Sequence, residues 1–225
     1  MKKIFLFAAA VAATMALNAA SFTGFDFRDG SLGTKIHDEG LLNTAVNVTL
    51  NETDATDHKY EIKNTEAGEM GFEIGGVEFS YSDQQAGKVA FKTTKTYISP
   101  NGVRRLVTIP TTAGEKVLVY AQDAISGIGV EGVKGKTTID LKGWGENKDV
   151  YTELEASGSA IVIRSDNGEE GTTAKLVWKI GAILPADAQG INNTSAAVKV
   201  EKFYRDGQLI IRKNGVEYNA LGARL

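Results

Sequence analysis

The sequence predicts an all-β protein, a β-sandwich or jelly roll followed by a C-terminal β-hairpin. Three observations carry that reading. Apolar residues recur at every second position through most of the chain, the period of a half-buried strand. Turn-forming clusters such as Gly75-Gly76, Asn101-Gly102 and Asp166-Asn167-Gly168 interrupt the pattern at short spacing, because Gly, Asn and Asp accept the backbone angles that tight turns need. Beyond the first twenty residues no segment shows the 3.6-residue period of an amphipathic helix; Asp123–Ser126 offers one turn at most.

Taken in order, Lys2 and Lys3 precede an apolar run from Ile4 to Leu17 and the small residues Asn18-Ala19-Ala20-Ser21. That is a basic start, an apolar stretch too short to span a bilayer, and a cleavage zone, so residues 1–20 read as a secretory signal peptide. No other stretch is long and apolar enough to cross a membrane. Val46, Val48 and Leu50 then alternate with Asn47 and Thr49; Tyr60 and Ile62 alternate with charged residues; Val77, Phe79 and Tyr81 alternate with Glu78 and Ser80. Leu106–Ile109, Lys116–Tyr120, Thr138–Leu141, Ala160–Arg164 and Lys175–Ile180 repeat the pattern, and the polar run Asn51–Asp57 reads as a loop. Residues 21–184 are thus expected to form the sandwich, 185–197 a linker, and 198–225 a terminal hairpin. In that last segment Asp206-Gly207 and Asn214-Gly215 suit type I′ turns, with strands at Leu209–Lys213 and Val216–Tyr218.

Composition narrows the function. With 25 Lys and Arg against 28 Asp and Glu, the net charge is −3, which gives no basis for binding nucleic acid. The absence of Cys excludes disulfides, thiolate metal sites and a cysteine nucleophile. The chain has only two His, His37 and His58, and lacks a Gly-x-Ser-x-Gly elbow, a His-Glu-x-x-His pair, a phosphate loop and a dinucleotide fingerprint. A noncatalytic protein is expected. A carboxylate pair for glycoside hydrolysis is the minor alternative.

Sugar binding by a sandwich needs an open aromatic face with polar groups beside it. In Gly143-Trp144-Gly145-Glu146-Asn147-Lys148-Asp149-Val150-Tyr151, the flanking glycines suggest an accessible Trp144 ring, with Asn147, Asp149 and Tyr151 as hydrogen-bonding partners. The competing reading makes Trp144 a cap on the core, since Trp is usually largely buried. Tyr97, Arg104 and Arg105, across the Asn101-Gly102 turn, form a second group whose arginines match uronate carboxylates; a solvated hairpin is the alternative. Asp26 and Asp29 beside Gly30 suggest a structural Ca²⁺, and no other cofactor is expected. Asp166, Asn167, Glu169 and Glu170 make another oxygen-rich loop without EF-hand spacing. The Asp54–His58 stretch reads as polar loop, and Trp178 as core.

Particular residues carry two resemblances. Phe25-Asp26-Phe27, Gly75-Gly76-Val77-Glu78-Phe79, Ala113-Gly114-Glu115-Lys116-Val117, Ala156–Ile163 and Leu176-Val177-Trp178-Lys179-Ile180 follow in an order that resembles the noncatalytic β-sandwich modules of Bacteroidetes pectinesterases and pectate lyases, over roughly residues 24–182. Gly207-Gln208-Leu209 leading to Tyr218-Asn219 and Gly222 resembles the sorting tail read by the type IX secretion system. These resemblances imply an exported carbohydrate-binding-like protein that recognises plant or host polysaccharide, contacts secretion machinery through its tail, and resides outside the cell or on its surface, with the periplasm as the alternative location. A structural or adhesion protein of the cell surface that binds no sugar is the second reading.

Overall fold

The computed structural model describes residues 22–84, 86–165 and 178–188, together with the strands at 200–205, 208–213 and 216–219. It is an all-β sandwich: 54% of the chain is strand, in two antiparallel sheets packed together. The first sheet runs β13 (Thr152–Glu155), β10 (Lys116–Ala121), β15 (Ile180–Pro185), β8 (Ile98–Pro100), β7 (Val89–Thr93), β4 (Lys59–Asn64), β3 (Val48–Asp54), and the short β1 (Phe25–Asp26) also pairs with β15. The second runs β12 (Lys136–Leu141), β11 (Ile125–Val133), β14 (Ala160–Arg164), β9 (Arg105–Pro110), β6 (Val77–Gln84), β5 (Gly68–Ile74), β2 (Asn43–Val46).

The two-residue period explains the core. Tyr60 and Ile62 of β4, Val107 and Ile109 of β9, and Ile161 and Ile163 of β14 all point inward, while their neighbours in sequence are more exposed. Phe72 and Phe79 stack at 5.0 Å across β5 and β6, and Phe91 of the opposite sheet meets them edge-on at 5.4 and 5.8 Å. Such offset and edge contacts suit the ring quadrupoles, and burying each ring contributes about 1.5–3 kcal/mol.

Three expectations change. Asn51–Asp57 is not one loop: β3 continues to Asp54, paired residue by residue with β4 through Asn51↔Glu61 and Glu52↔Tyr60, so backbone pairing sustains a strand that side-chain polarity disguised. A helix, α1 (Leu32–Asp38), is present, burying Leu32 and Ile36 on one face; seven residues are too few for a period to stand out. Asp123–Ser126 forms no helical turn, and Ile125 already opens β11. The strand expected over Lys175–Ile180 lies largely outside the described residues; Ile180 opens β15.

Contacts divide the chain into two compact units, Met1–Leu184 and Pro185–Leu225. The second contains three antiparallel strands in the order β16 (Val200–Arg205), β17 (Gln208–Lys213), β18 (Val216–Asn219), with Ile211 opposite Tyr218. The expected hairpin is therefore part of a three-stranded meander. The turns expected at Asp206-Gly207 and Asn214-Gly215, like residues 1–20 and the expected loop at Asp166–Glu170, lie outside the described residues. Among the described residues no helix is long and apolar enough to cross a membrane.

Candidate functional site

The aromatic loop turns inward. Trp144 is only 6% exposed, and its backbone N–H donates to the Ala121 carbonyl at 2.9 Å. Its ring lies so close to Gly181 that a Cβ there would sit 2.3 Å from it. Gly143 is equally tight, since a Cβ would fall 2.4 Å from the Ala124 nitrogen. Gly143, one of the two small neighbours that suggested an open ring, instead lets the chain pack closely, so Trp144 offers no stacking face. Trp178 is buried as well.

Asn147 and Asp149 remain exposed, joined by the Asp149 N–H donating to Asn147 Oδ1 at 3.0 Å. Tyr151 is half-buried against Tyr120, ring centroids 5.5 Å apart. The guanidinium of Arg28 covers Tyr120 at 3.8 Å and forks onto Asp26, donating from Nε at 2.9 Å and Nη2 at 2.7 Å. Arg28 also donates to the Lys148 carbonyl, and Lys148 Nζ returns a bond to the Arg28 carbonyl. The structure thus brings the Asp26 segment and the 144–151 loop together into one patch. Asp26 and Asp29, the residues of the calcium expectation, both have protein partners here. Both Asp26 oxygens already hold a cation, which disfavours a second. Burial opposes the Arg28 charge, but the hydrogen bond and charge of Asp26 together with Tyr120 and Asp149 raise its pKa on balance. Asp29 has its own task, accepting the Ser31 N–H at 2.9 Å just before α1, and its pKa is lowered chiefly by hydrogen bonding to Ser31.

The arginine pair separates. Arg104 is exposed with φ at 59°, whereas Arg105 is 3% exposed and opens β9 facing inward. The Arg105 guanidinium lies 3.5 Å from the Tyr81 ring centroid and donates to the carbonyls of Ala90 at 3.1 Å, Asn101 at 3.0 Å, and Val103. Burial lowers its pKa. Strand alternation sends it into the domain, so it cannot join Arg104 around a uronate. Tyr97 is half-buried under Lys179 Nζ, 5.2 Å from the ring centroid, and Lys179 pairs with Asp123 at 2.6 Å.

A different constellation emerges where α1 meets the turn between β3 and β4. The imidazoles of His37 and His58 stack with centroids 4.1 Å apart and planes at 23°. His58 Nδ1 lies 2.7 Å from Glu52 Oε1, and His37 Nδ1 lies 2.7 Å from Asp38 Oδ1. Tyr60 Oη donates to the same Glu52 oxygen at 3.4 Å. His58 has φ at 48°, and α1 is pressed onto its turn: a Cβ on Gly33 would meet the Asp57 carbonyl oxygen at 2.4 Å and the His58 carbonyl oxygen at 2.7 Å. Nearby, Lys59 pairs with Asp54 at 2.8 Å and Asp57 at 3.0 Å, and Lys95 with Asp57 at 2.6 Å. Hydrogen bonds from these lysines lower both aspartate pKa values. Positions 37, 52 and 58 form no linear motif. The available signal was that the chain's two histidines both sit among acidic residues.

Two further features lie on the surface. An open groove of about 530 Å³ is lined by Lys136, Thr138, Ile139, Asp140, Lys142, Thr152 and Glu153, with no aromatic ring. At the far end of the first sheet, β3 is an edge strand, with Leu50 38% exposed and Val46, just before it, 41% exposed.

These features define the class: a two-sheet antiparallel β-sandwich with a histidine–carboxylate corner on one flank. No protein-family model, curated protein or solved structure matches the chain.

Proposed function

We propose that the protein is an exported, noncatalytic β-sandwich that acts as a structural or adhesion component, contacting another protein along the edge strand β3. The observation that carries this reading is a seven-residue edge strand bearing exposed Leu50, preceded in the chain by exposed Val46 at the end of β2. Such an edge offers unpaired main-chain groups to an incoming strand, and its apolar side chains add contact area. The burial of Trp144 and Arg105 removes the main support for polysaccharide as the principal ligand. Export rests on the basic, apolar and small-residue order of residues 1–21, and contact of the tail with secretion machinery rests on its resemblance to sorting tails.

A second reading, saccharide binding, is favoured by the half-exposed Tyr151 ring beside Asn147, Asp149 and Arg28. One experiment separates the two. The protein and its Leu50→Lys and Tyr151→Ala variants are compared for retention on a glycan array of pectins, xylans and host glycans, and on immobilised cell-envelope proteins of the native host. Protein contact predicts retention on envelope protein that Leu50→Lys weakens about tenfold or more, as loss of an interface anchor does, with Tyr151→Ala unchanged. Glycan retention lost in Tyr151→Ala and kept in Leu50→Lys would overturn that reading in favour of the second. Mass spectrometry of the exported protein should find Ala20 or Ser21 at its start.

A further inference from the structure

We propose that His37, His58 and Glu52 form a binding site for a divalent late transition-metal ion of the zinc or nickel type. The three side chains come from α1, β3 and the following turn, and each offers a ligand atom within 4.8 Å of the others. The chain contains only two histidines, and both lie in this one place. An ionised carboxylate can only accept a hydrogen bond. The contact of Asp38 with His37 Nδ1 therefore puts that imidazole proton there and leaves the His37 Nε2 with its lone pair. A carboxylate that holds the far nitrogen of a histidine is the usual support of a metal-binding imidazole. Asp38 plays that part for His37, whereas Glu52 Oε1 and His58 Nδ1, 2.7 Å apart, face one another and would take the ion between them, with the His58 proton carried on Nε2.

Charge points the same way. The carboxylates of Asp38 and Glu52 bring two negative charges to the site, suited to a dication, and among the described residues no Lys or Arg pairs with either carboxylate. The neighbouring lysines are occupied by Asp54 and Asp57. Two nitrogen donors favour zinc, nickel or copper over calcium and magnesium, which prefer oxygen ligands. The scaffold is also fixed where it matters, because the Gly33 contact clamps α1 to the turn that carries His58. Bonds of about 2.0–2.1 Å in a tetrahedral site place ligand atoms roughly 3.3 Å apart. Closing from 4.8 Å asks for side-chain rotation, which the exposed His37 can make.

The test uses untagged protein, since a polyhistidine tag would compete. Zn²⁺ alone is titrated by calorimetry, and the imidazole proton resonances, of which there are two sets, are followed in parallel. We expect one equivalent of Zn²⁺ to shift both sets together, Ca²⁺ in excess not to displace it, and His37→Gln, His58→Gln and Glu52→Gln each to weaken binding at least about tenfold. Thermal unfolding of each variant without metal checks that it folds. Zn²⁺ binding that shifts only one histidine, or that survives in folded His37→Gln and His58→Gln, would overturn the site, as would no saturable binding at all.

Discussion

Among the described residues three non-glycines have positive φ, Asn47 at 53°, Arg104 at 59° and His58 at 48°, and the turns of the last two use charge in opposite ways. In the first, the chain delivers Arg105 to the interior, where carbonyls and the Tyr81 ring surround it. In the second, Asp54, Asp57, Lys59 and Lys95 pair with one another at the surface, and the two imidazoles stack beside them. Burial is what differs. A buried cation held by backbone carbonyls cannot be removed without stranding them, whereas exposed pairs contribute little to stability and leave their groups available to a ligand.

The largest expected effect tests the buried side. Arg105→Met should destabilise the sandwich by about 3 kcal/mol or more, since it strands the carbonyls of Ala90, Asn101 and Val103 at about 1–3 kcal/mol for each unsatisfied group, read from urea midpoints at constant m-value. A loss below about 1 kcal/mol would place Arg105 with the exposed pairs and dissolve the contrast. Next comes the seam between α1 and the His58 turn. Gly33→Val drives a side chain into the Asp57 and His58 carbonyls and should cost about 1–3 kcal/mol through overpacking. It should also separate the histidine rings, seen as loss of contacts between the two imidazoles by NMR.

Glu78 sharpens the rule with a charge that has no ion-pair partner among the described residues and no full exposure. It is half-buried and stands directly across from Glu73 on β5, and burial, reinforced by Glu73 and Glu69, raises its pKa above the ordinary 4.5. The folded state therefore binds this proton more tightly than the unfolded state. Stability falls as pH rises from about 4.5 through the folded pKa, and the penalty persists above it. Glu78→Gln should gain about 0.2–1 kcal/mol at pH 7, the range of a cross-strand pair, and nothing at pH 4. An equal gain at both would trace the effect to packing instead. The smallest effect belongs to Asp57→Asn. Hydrogen bonds from Lys95 and then Lys59 lower the Asp57 pKa, so its contribution is present above the unfolded value near 3.8 and fades as pH falls through the folded one. At pH 7 and physiological salt the melting temperature should stay where it is, and a collapse would make the exposed corner structural.

The strands were legible because inward and outward positions alternate in the sequence as they do in space, as along β4 and β9. The same alternation, followed one step further, would have sent Arg105 inward and Arg104 outward. Glycines around Trp144 were ambiguous for a physical reason: a missing side chain permits close approach as readily as exposure, and only the position of Gly181 decides which. The histidine corner was illegible because it depends on a two-turn helix and on the register of β3 with β4, neither of which leaves a periodic trace.

One early contact sets when the domain can form. Phe25 of β1 lies opposite Ile183 of β15, and Arg28 is stitched to Lys148, so the first strand has no partner until nearly all of the sandwich sequence is present. Closing so long a loop before any reward makes for high contact order and slow folding. A chain delivered from its N-terminus would hold Phe25 and Phe27 unpaired throughout delivery, and this delay, more than the final stability, would govern its exposure to proteases and aggregation.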